Sequence, residues 1–465
     1  MKKVFNIWML MIFTLSLYAQ EITGKWNGLL KAPSGQLRLV FNITNEGDSY
    51  QATMDSPDQN AFGFKATSVN YHEKLLTIKL NDLMIEFSGK NENGLIKGNF
   101  KQATMSFPLN LSREDIEKKA LVRPQEPVEP FPYKVEEVLF ENTIDKIKLA
   151  GTLTIPSGLR ASPAVVLISG SGPQNRDEEV FGHKPFLVLA DHLTREGIAV
   201  LRFDDRGVAK SEGNFAEATS VDFARDVKAA IEFLKTREEI NHKQIGLIGH
   251  SEGGIIAPIV ASESPDVAFI VLLAGTGIRG SELLLMQQQL IGRAYGSSEE
   301  ELKQAAFINM ELFEIIPRIH DTEELKKALS ISLKDNLKNI PQPMKPQGIS
   351  DDEFVAMQIR QLVSPWMRFF LAHDPAPVLR KVKCPVLAVN GEKDLQVPPR
   401  ENLSAIEKAL SEGGNTNITV VELSGLNHLF QECETGSPAE YAEIEQTFSP
   451  LALEEISKWI KNIIK

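Results

Sequence analysis

The chain has 465 residues, 42% of them hydrophobic and 24% charged, with 31 Gly, 25 Pro and 2 Cys. At roughly 100 to 200 residues per domain, this length corresponds to two or three domains and a core large enough for a deep site. The composition excludes a disulfide-stapled miniprotein, a collagen-like chain and a largely disordered one. A formal charge of −12 leaves no basic face for nucleic acid, which is excluded as an expected partner.

At the front, Lys2 and Lys3 precede an apolar run from Val4 to Leu17, and Tyr18-Ala19-Gln20-Glu21 then restores polar composition with a small residue near a cleavage point. This is the pattern of a secretory signal peptide over residues 1–20. The run is shorter than the ~20 residues of a membrane span, and no Cys lies near the cleavage point to carry a lipid. The expected mature protein is periplasmic or secreted, with no stable membrane span. Export would permit a disulfide, but Cys384 and Cys433 do not make a framework, and their pairing stays open.

Residues 21–120 read as a β-rich domain. Leu37, Leu39, Phe41 and Ile43 alternate with Arg38, Asn42 and Thr44, and Leu76, Ile78 and Leu80 repeat the period between breaks such as Asn91-Glu92-Asn93-Gly94. The segment has no cluster of His, Cys or paired carboxylates, so its expected role is structural or substrate-shaping. Residues 121–134 form a linker in which Pro124, Pro127, Pro130 and Pro132 favour extended, semi-rigid chain.

From residue 135 to 465 short apolar strands alternate with amphipathic helices. Val138–Phe140 and Ile147–Ile155 suggest a leading hairpin; Ala164–Ile168, Val200–Phe203, Gln244–Ile248 and Ala268–Leu273 are strands, with helices over Pro185–Glu196 and Val221–Thr236. The pattern predicts a mostly parallel sheet covered by helices on both faces, with its ligand site at the carboxyl ends of the strands. The next strand, Val386–Asn390, comes more than a hundred residues later. The interval, about 277–378, carries helix-start patterns at Ser297-Ser298-Glu299-Glu300, Asp321 with Glu324, and Ser350-Asp351-Asp352-Glu353. It reads as a helical insertion capping the site. Its apolar residues, among them Leu283, Phe307, Phe313, Trp366 and Phe370, serve as helix core or as an acyl-binding wall. Strand Thr419–Glu422 and a helix begun by Ser449-Pro450 close the chain.

Gly249-His250-Ser251-Glu252-Gly253 follows the strand ending at Ile248 and leads into the helical run Gly254–Val260. A strand-to-helix turn of this kind strains the backbone of its central residue and projects the Ser251 hydroxyl above the sheet, and the flanking glycines let strand and helix pass. A hydroxyl becomes a useful nucleophile only when a base takes its proton and an acid fixes the tautomer of that base. With the chain order Ser, acid, His, the histidines after Ser251 are His320, His373 and His428, and only His428 stands beyond the final strand. Asn390-Gly391-Glu392-Lys393-Asp394 follows the penultimate strand, and Asp394 is the expected acid with Glu392 in reserve. Backbone N–H donors for an oxyanion are expected at Glu252 and, in the turn Ser169-Gly170-Ser171-Gly172-Pro173, at Ser171, with Gly172 as the alternative. Asp204-Asp205-Arg206-Gly207 also lies at the active end of the sheet and reads as a buried structural ion pair in preference to a catalytic group. No cluster has metal-ligand spacing, and neither metal nor cofactor is expected.

These residues together resemble the α/β-hydrolase superfamily, and more narrowly the bacterial two-domain serine esterases related to dienelactone hydrolases and to the S33-type serine aminopeptidases. The likeness covers about residues 136–465, with Ala209 standing where the D-x-R-G-x-G-x-S stretch of the family has its second glycine. It implies an α/β-hydrolase fold with a helical cap, behind a small antiparallel β domain. It also implies a serine hydrolase of small-molecule carboxylic esters working through Ser251, Asp394, His428 and an acyl-enzyme. The alternative uses the same residues as an aminopeptidase or acyl-peptide hydrolase, with Glu252 or Asp374 meeting a free amino terminus. A third reading is a non-catalytic envelope-binding protein. Acyl chain length, leaving group and oligomeric state are not legible at this level.

Overall fold

The period-two segment folds into strands β1 (Gly24–Ala32), β2 (Gly35–Glu46), β3 (Ser49–Ser56), β4 (Ala61–Lys65), β5 (Ser68–His72), β6 (Leu75–Leu80), β7 (Ile85–Glu92), β8 (Leu95–Gln102) and β9 (Met105–Ser112). The structure is a computed structural model that describes residues 22–465 apart from 33–34, 48, 58–60, 103–104, 117–122, 159 and 341–349; the expected signal segment 1–20 lies outside the described residues. The sheet runs in the order β4-β3-β2-β1-β9-β8-β7-β6-β5. After β4 the chain bonds to both sides of it, Ala66 N–H donating to Ala52 O at 2.8 Å and Thr67 N–H to Lys79 O at 2.7 Å. These bonds draw the two ends of the sheet together around Trp26, Phe41, Ile78, Phe87 and Leu111, all buried. Alternation thus puts one residue in two inside.

A second compact unit takes in the described residues from Arg123 to Lys465. Its sheet has the order β10-β11-β13-β12-β14-β15-β16-β17, from β10 (Lys134–Asn142), β11 (Ile147–Ile155), β12 (Ser162–Ile168), β13 (Ala199–Phe203), β14 (Ile240–His250), β15 (Phe269–Leu273), β16 (Val386–Gly391) and β17 (Ile418–Leu423). The β10–β11 hairpin and the β11–β13 pairing are antiparallel, and all later pairings are parallel. Both faces are covered, which is why the strands read as unbroken apolar runs. Val165 and Leu167 point to α1 (Pro185–Arg195) and α11 (Pro450–Ile463), while Ala164, Val166 and Ile168 point to α2 (Ser220–Lys235), α3 (Gly253–Glu263) and α10 (Pro399–Glu412).

Between β15 and β16 lie α4 (Gly280–Ala294), α5 (Glu299–Ile315), α6 (Thr322–Asn336), α7 (Asp351–Leu362), α8 (Pro365–Ala372) and α9 (Ala376–Leu379). The first capping box is one residue later than its sequence pattern suggests: Ser298 and Glu301 exchange bonds across the first turn of α5. The others start at Asp321 and Ser350. Ile308, Leu312, Phe313, Leu325, Leu329 and Phe354 make a small core of their own. Phe370 and Leu283 join the main core, whereas Phe307 is 64% exposed and belongs to neither expected class. The proline segment is not a free spacer. Arg123 donates to the carbonyls of Phe181, Gly182, Ala442 and Ile444, and Gln125 pairs with the backbone of Thr447 and Phe448, fastening it to the second unit.

Candidate active site

Strand β14 ends at His250 and α3 begins at Gly253, so Ser251 and Glu252 make the turn. Ser251 has φ of 53°, a left-handed conformation that costs a residue with a side chain roughly 1–2 kcal/mol. Its N–H is tied to Leu273 O on the neighbouring strand at 2.8 Å. Sterics account for the glycines on either side. A Cβ on Gly249 would stand 2.0 Å from Gly253 O, and one on Gly253 would stand 2.2 Å from Ile168 O.

His428 and Asp394 meet at the ends of the last two strands. His428 Nδ1 is 2.8 Å from Asp394 Oδ2, and both residues are buried. Asp394 Oδ1 accepts the N–H groups of Gln396 and Val397 at 2.8 and 2.9 Å, which fix the carboxylate and leave Oδ2 for the imidazole. Asn427 organises the histidine loop, its Oδ1 accepting from Leu429 and Gln431 N–H. Glu392, the reserve acid, points elsewhere: it is exposed and accepts from Ser424 Oγ and Gly425 N–H, bonds that hold its carboxyl below the usual range. A carboxylate holding Nδ1–H leaves Nε2 free to accept a proton, as a general base requires.

The loop after β12 carries the expected oxyanion donors, beside the switch point where the chain turns from β13 back past β12 to β14. Gly170 lies against the nucleophile turn, so close that a Cβ there would be 3.2 Å from that of Ser251. Ser171 is exposed and Gly172 takes φ of 94°. Among the described residues, no acceptor pairs with the N–H of Ser171, Gly172 or Glu252. Asp205 holds this loop from below through Ser169 Oγ at 2.8 Å and Gln174 N–H at 3.0 Å.

Burial pushes the Asp205 carboxyl up to about 8, helped by the nearby charges of Glu252 and Glu178, so it carries a proton at neutral pH. Raised above its unfolded value, this group contributes stability that is complete below about pH 4 and is lost as pH rises through about 8. Asparagine reproduces the protonated acid, its amide donating to Ser169 Oγ and its carbonyl accepting from Gln174. Asp205→Asn is therefore expected to retain hydrolysis and to melt higher than the parent, by clearly more at pH 9 than at pH 5. Melting curves at the two pH values check this.

The rest of the Asp204–Gly207 segment is structural, as the sequence suggests. Asp204 holds Arg176 through both carboxylate oxygens, and Arg206 meets Asp226 in a two-point pair at 2.7 and 2.8 Å. Ala209 has φ of 46°, so this loop keeps a left-handed residue without a glycine. The Glu252 side chain is buried and turned inward. Its Oε1 accepts from Ser220 Oγ at 2.6 Å and from Trp366 Nε1 of α8 at 2.8 Å, and burial raises its carboxyl. Asp374 is likewise engaged, by Arg279 and by Ala376 N–H. Both carboxylates are thus bonded within the chain.

Glu178, His250, Trp366 and Asp226 are the site neighbours that sequence reasoning missed or left without a role. Glu178 belongs to the run Arg176-Asp177-Glu178-Glu179, which looks solvated, yet it is 3% exposed. Both cysteines are free thiols, with Cys433 Sγ donating to Gly425 O. Among the described residues no group of three or more His, Cys, Asp or Glu is placed to hold a metal ion, and no helix is long and apolar enough to cross a membrane.

Comparison with known proteins adds to this geometry. The family described as "Serine aminopeptidase, S33" matches residues 184–329. Esterase EstD of Thermotoga maritima is 27% identical over 334 residues, which cover 70% of this chain and 69% of that protein. An uncharacterized 31.7 kDa Escherichia coli protein is 23% identical over 269 residues, covering 57% of this chain and 84% of its own. Among solved structures, the Pyrococcus furiosus esterase Pf2001 aligns over 75% of this chain and 100% of its own, at 16% identity and a TM-score of 0.43.

Proposed function

We propose that this chain is a serine esterase of the α/β-hydrolase kind, hydrolysing carboxylic esters with Ser251 as nucleophile, His428 as base and Asp394 as the acid that orients it. The pairing of His428 with Asp394, together with the strained turn at Ser251, carries this reading.

Ser251 Oγ attacks the ester carbonyl as His428 takes its proton, and the oxyanion is received by the N–H groups of Glu252 and Ser171, with Gly172 beside them. Collapse expels the alcohol, protonated by His428. Water, activated by the same imidazole, then releases the acid from the acyl-serine. The helices between β15 and β16 act as a cap, fixed to the nucleophile turn through Trp366 and Glu252. We further propose that residues 1–20 direct export and that the protein works in the periplasm or outside the cell.

An aminopeptidase would need an acidic group held ready for the substrate ammonium. The prior engagement of Glu252 and Asp374 favours the ester reading over that one. The test assays the mature protein on a p-nitrophenyl acyl-ester series beside aminoacyl p-nitroanilides, with a fluorophosphonate probe to mark the nucleophile. Ester turnover should exceed anilide turnover, with the probe on Ser251 and absent from Ser251→Ala. Faster anilide turnover would overturn the ester assignment, and a probe that leaves Ser251 unlabelled would overturn the nucleophile.

A further inference from the structure

Beneath the nucleophile turn, one carboxylate and one imidazole join three separate loops. Glu178 Oε1 accepts the N–H of Gly170, in the oxyanion loop, at 2.7 Å, and lies 2.9 Å from Nδ1 of His250. The other ring nitrogen of His250, Nε2, is 3.0 Å from the backbone oxygen of His428. The two imidazole rings lie 4.8 Å apart between centroids. His250 immediately precedes Ser251, and both members of the pair are buried, at 3% and 6% exposure.

With Glu178 as a carboxylate, the donors and acceptors around the ring determine its charge. A carbonyl oxygen can only accept, so Nε2 of His250 carries a proton. An ionised Glu178 is also only an acceptor and already receives Gly170 N–H, so Nδ1 carries a proton too. Two protonated nitrogens make an imidazolium, and a buried imidazolium persists only beside a counter-charge. The groups facing it are Glu178 from the loop after β12, Asp394 from the loop after β16 and His428 from the loop after β17; Asp205 faces Glu178 in turn. Glu178 and Asp394 favour the charged ring, against its burial, and the net direction is upward.

We infer that Glu178 and His250 are positioning residues, an ion pair that sets the oxyanion loop and the His428 loop at their working distances from Ser251. This rests on the serine hydrolase reading above and adds to it. Neither side chain reaches the reacting atoms. The pair acts through the backbone of Gly170, next to the Ser171 donor, and through the backbone of His428. Transition-state geometry is therefore what suffers when it is broken, and ground-state binding is spared.

Glu178→Gln keeps the shape and removes the counter-charge, so His250 must surrender a proton and with it one of its two bonds. In the full chain, kcat per fluorophosphonate-titratable site should fall at least tenfold on a p-nitrophenyl ester, with KM within about threefold. His250→Gln should do the same, and the double variant should be no slower than the slower single one, because the pair works as a unit. A folded Glu178→Gln protein with kcat within twofold of the parent would overturn the inference. So would a loss confined to KM or to melting temperature.

If the variants do not fold, the parent protein decides. With ¹⁵N-labelled histidine, His250 should show two protonated ring nitrogens at pH 7.5, and a singly protonated ring there would overturn the inference. Failure of the underlying reading looks different, since Ser251→Ala would then keep activity whatever the state of Glu178.

Discussion

Asp394→Asn is expected to lower kcat on an ester by about 10³ to 10⁴-fold while leaving the fold and KM nearly intact. The amide oxygen of the substituted side chain can still accept the N–H groups of Gln396 and Val397, which now bond Asp394 Oδ1 at 2.8 and 2.9 Å. Its NH₂ group then faces His428 Nδ1, where Oδ2 now accepts. A donor there forces Nδ1 to accept, so the proton moves to Nε2, the nitrogen that must be empty to receive the Ser251 proton. The imidazolium formed during acylation also loses its carboxylate. Glu392→Gln, by contrast, removes only a brace on Ser424 and Gly425, and its activity should stay within about twofold. Steady-state kinetics on the two variants separates the candidates. A nearly active Asp394→Asn beside a dead Glu392→Gln would exchange their roles.

What is legible in the sequence is set by local chain geometry or by the order of elements along the chain. The turn at Ser251 follows from glycines two residues either side, whose missing Cβ atoms meet backbone only 2.0 and 2.2 Å away. The helix starts at Asp321 and Ser350 follow from a side-chain oxygen reaching an N–H three residues on. His428 is found by elimination along the chain, since strand order fixes which loop it must occupy.

What stays hidden depends on partners far apart in sequence. His250 stands inside the motif, but its partner Glu178 is 72 residues earlier. Glu252 is bonded by Trp366, 114 residues later in the insertion, and a single tryptophan among apolar neighbours there gives no sign of it. The outward look of Arg176-Asp177-Glu178-Glu179 misleads for the same reason, because Asp204 and His250 withdraw two of its four charges from solvent. Charge runs are read from neighbours in the chain, and burial is decided by neighbours in space.

The same contrast predicts a large stability loss in the second unit, at Arg206. This guanidinium is buried and holds the two-point pair with Asp226, a bond to Asp145 Oδ2 at 2.8 Å and one to the Asp222 carbonyl at 2.7 Å. Arg206→Met strands Asp226, itself 1% exposed, with Asn142 as its remaining donor. Breaking one side of such a pair costs about 3–5 kcal/mol, roughly 5 °C of melting temperature for a unit of this size. The loss carries a pH signature. Burial already raises the Asp226 carboxyl, with Arg206 and Asn142 pulling it down. Without Arg206 it rises further, so the variant binds a proton that its unfolded chain releases. A group raised in this way is stabilising below its unfolded value near 3.9 and loses that contribution as pH climbs through the folded one. The deficit should therefore be smaller at pH 5 than at pH 8. Adding Asp226→Leu removes the stranded charge and should restore more than half of the loss. Denaturant midpoints of the parent, single and double variants at both pH values check these expectations together. A deficit that grows toward acid would mean that Asp226 stays ionised without its arginine.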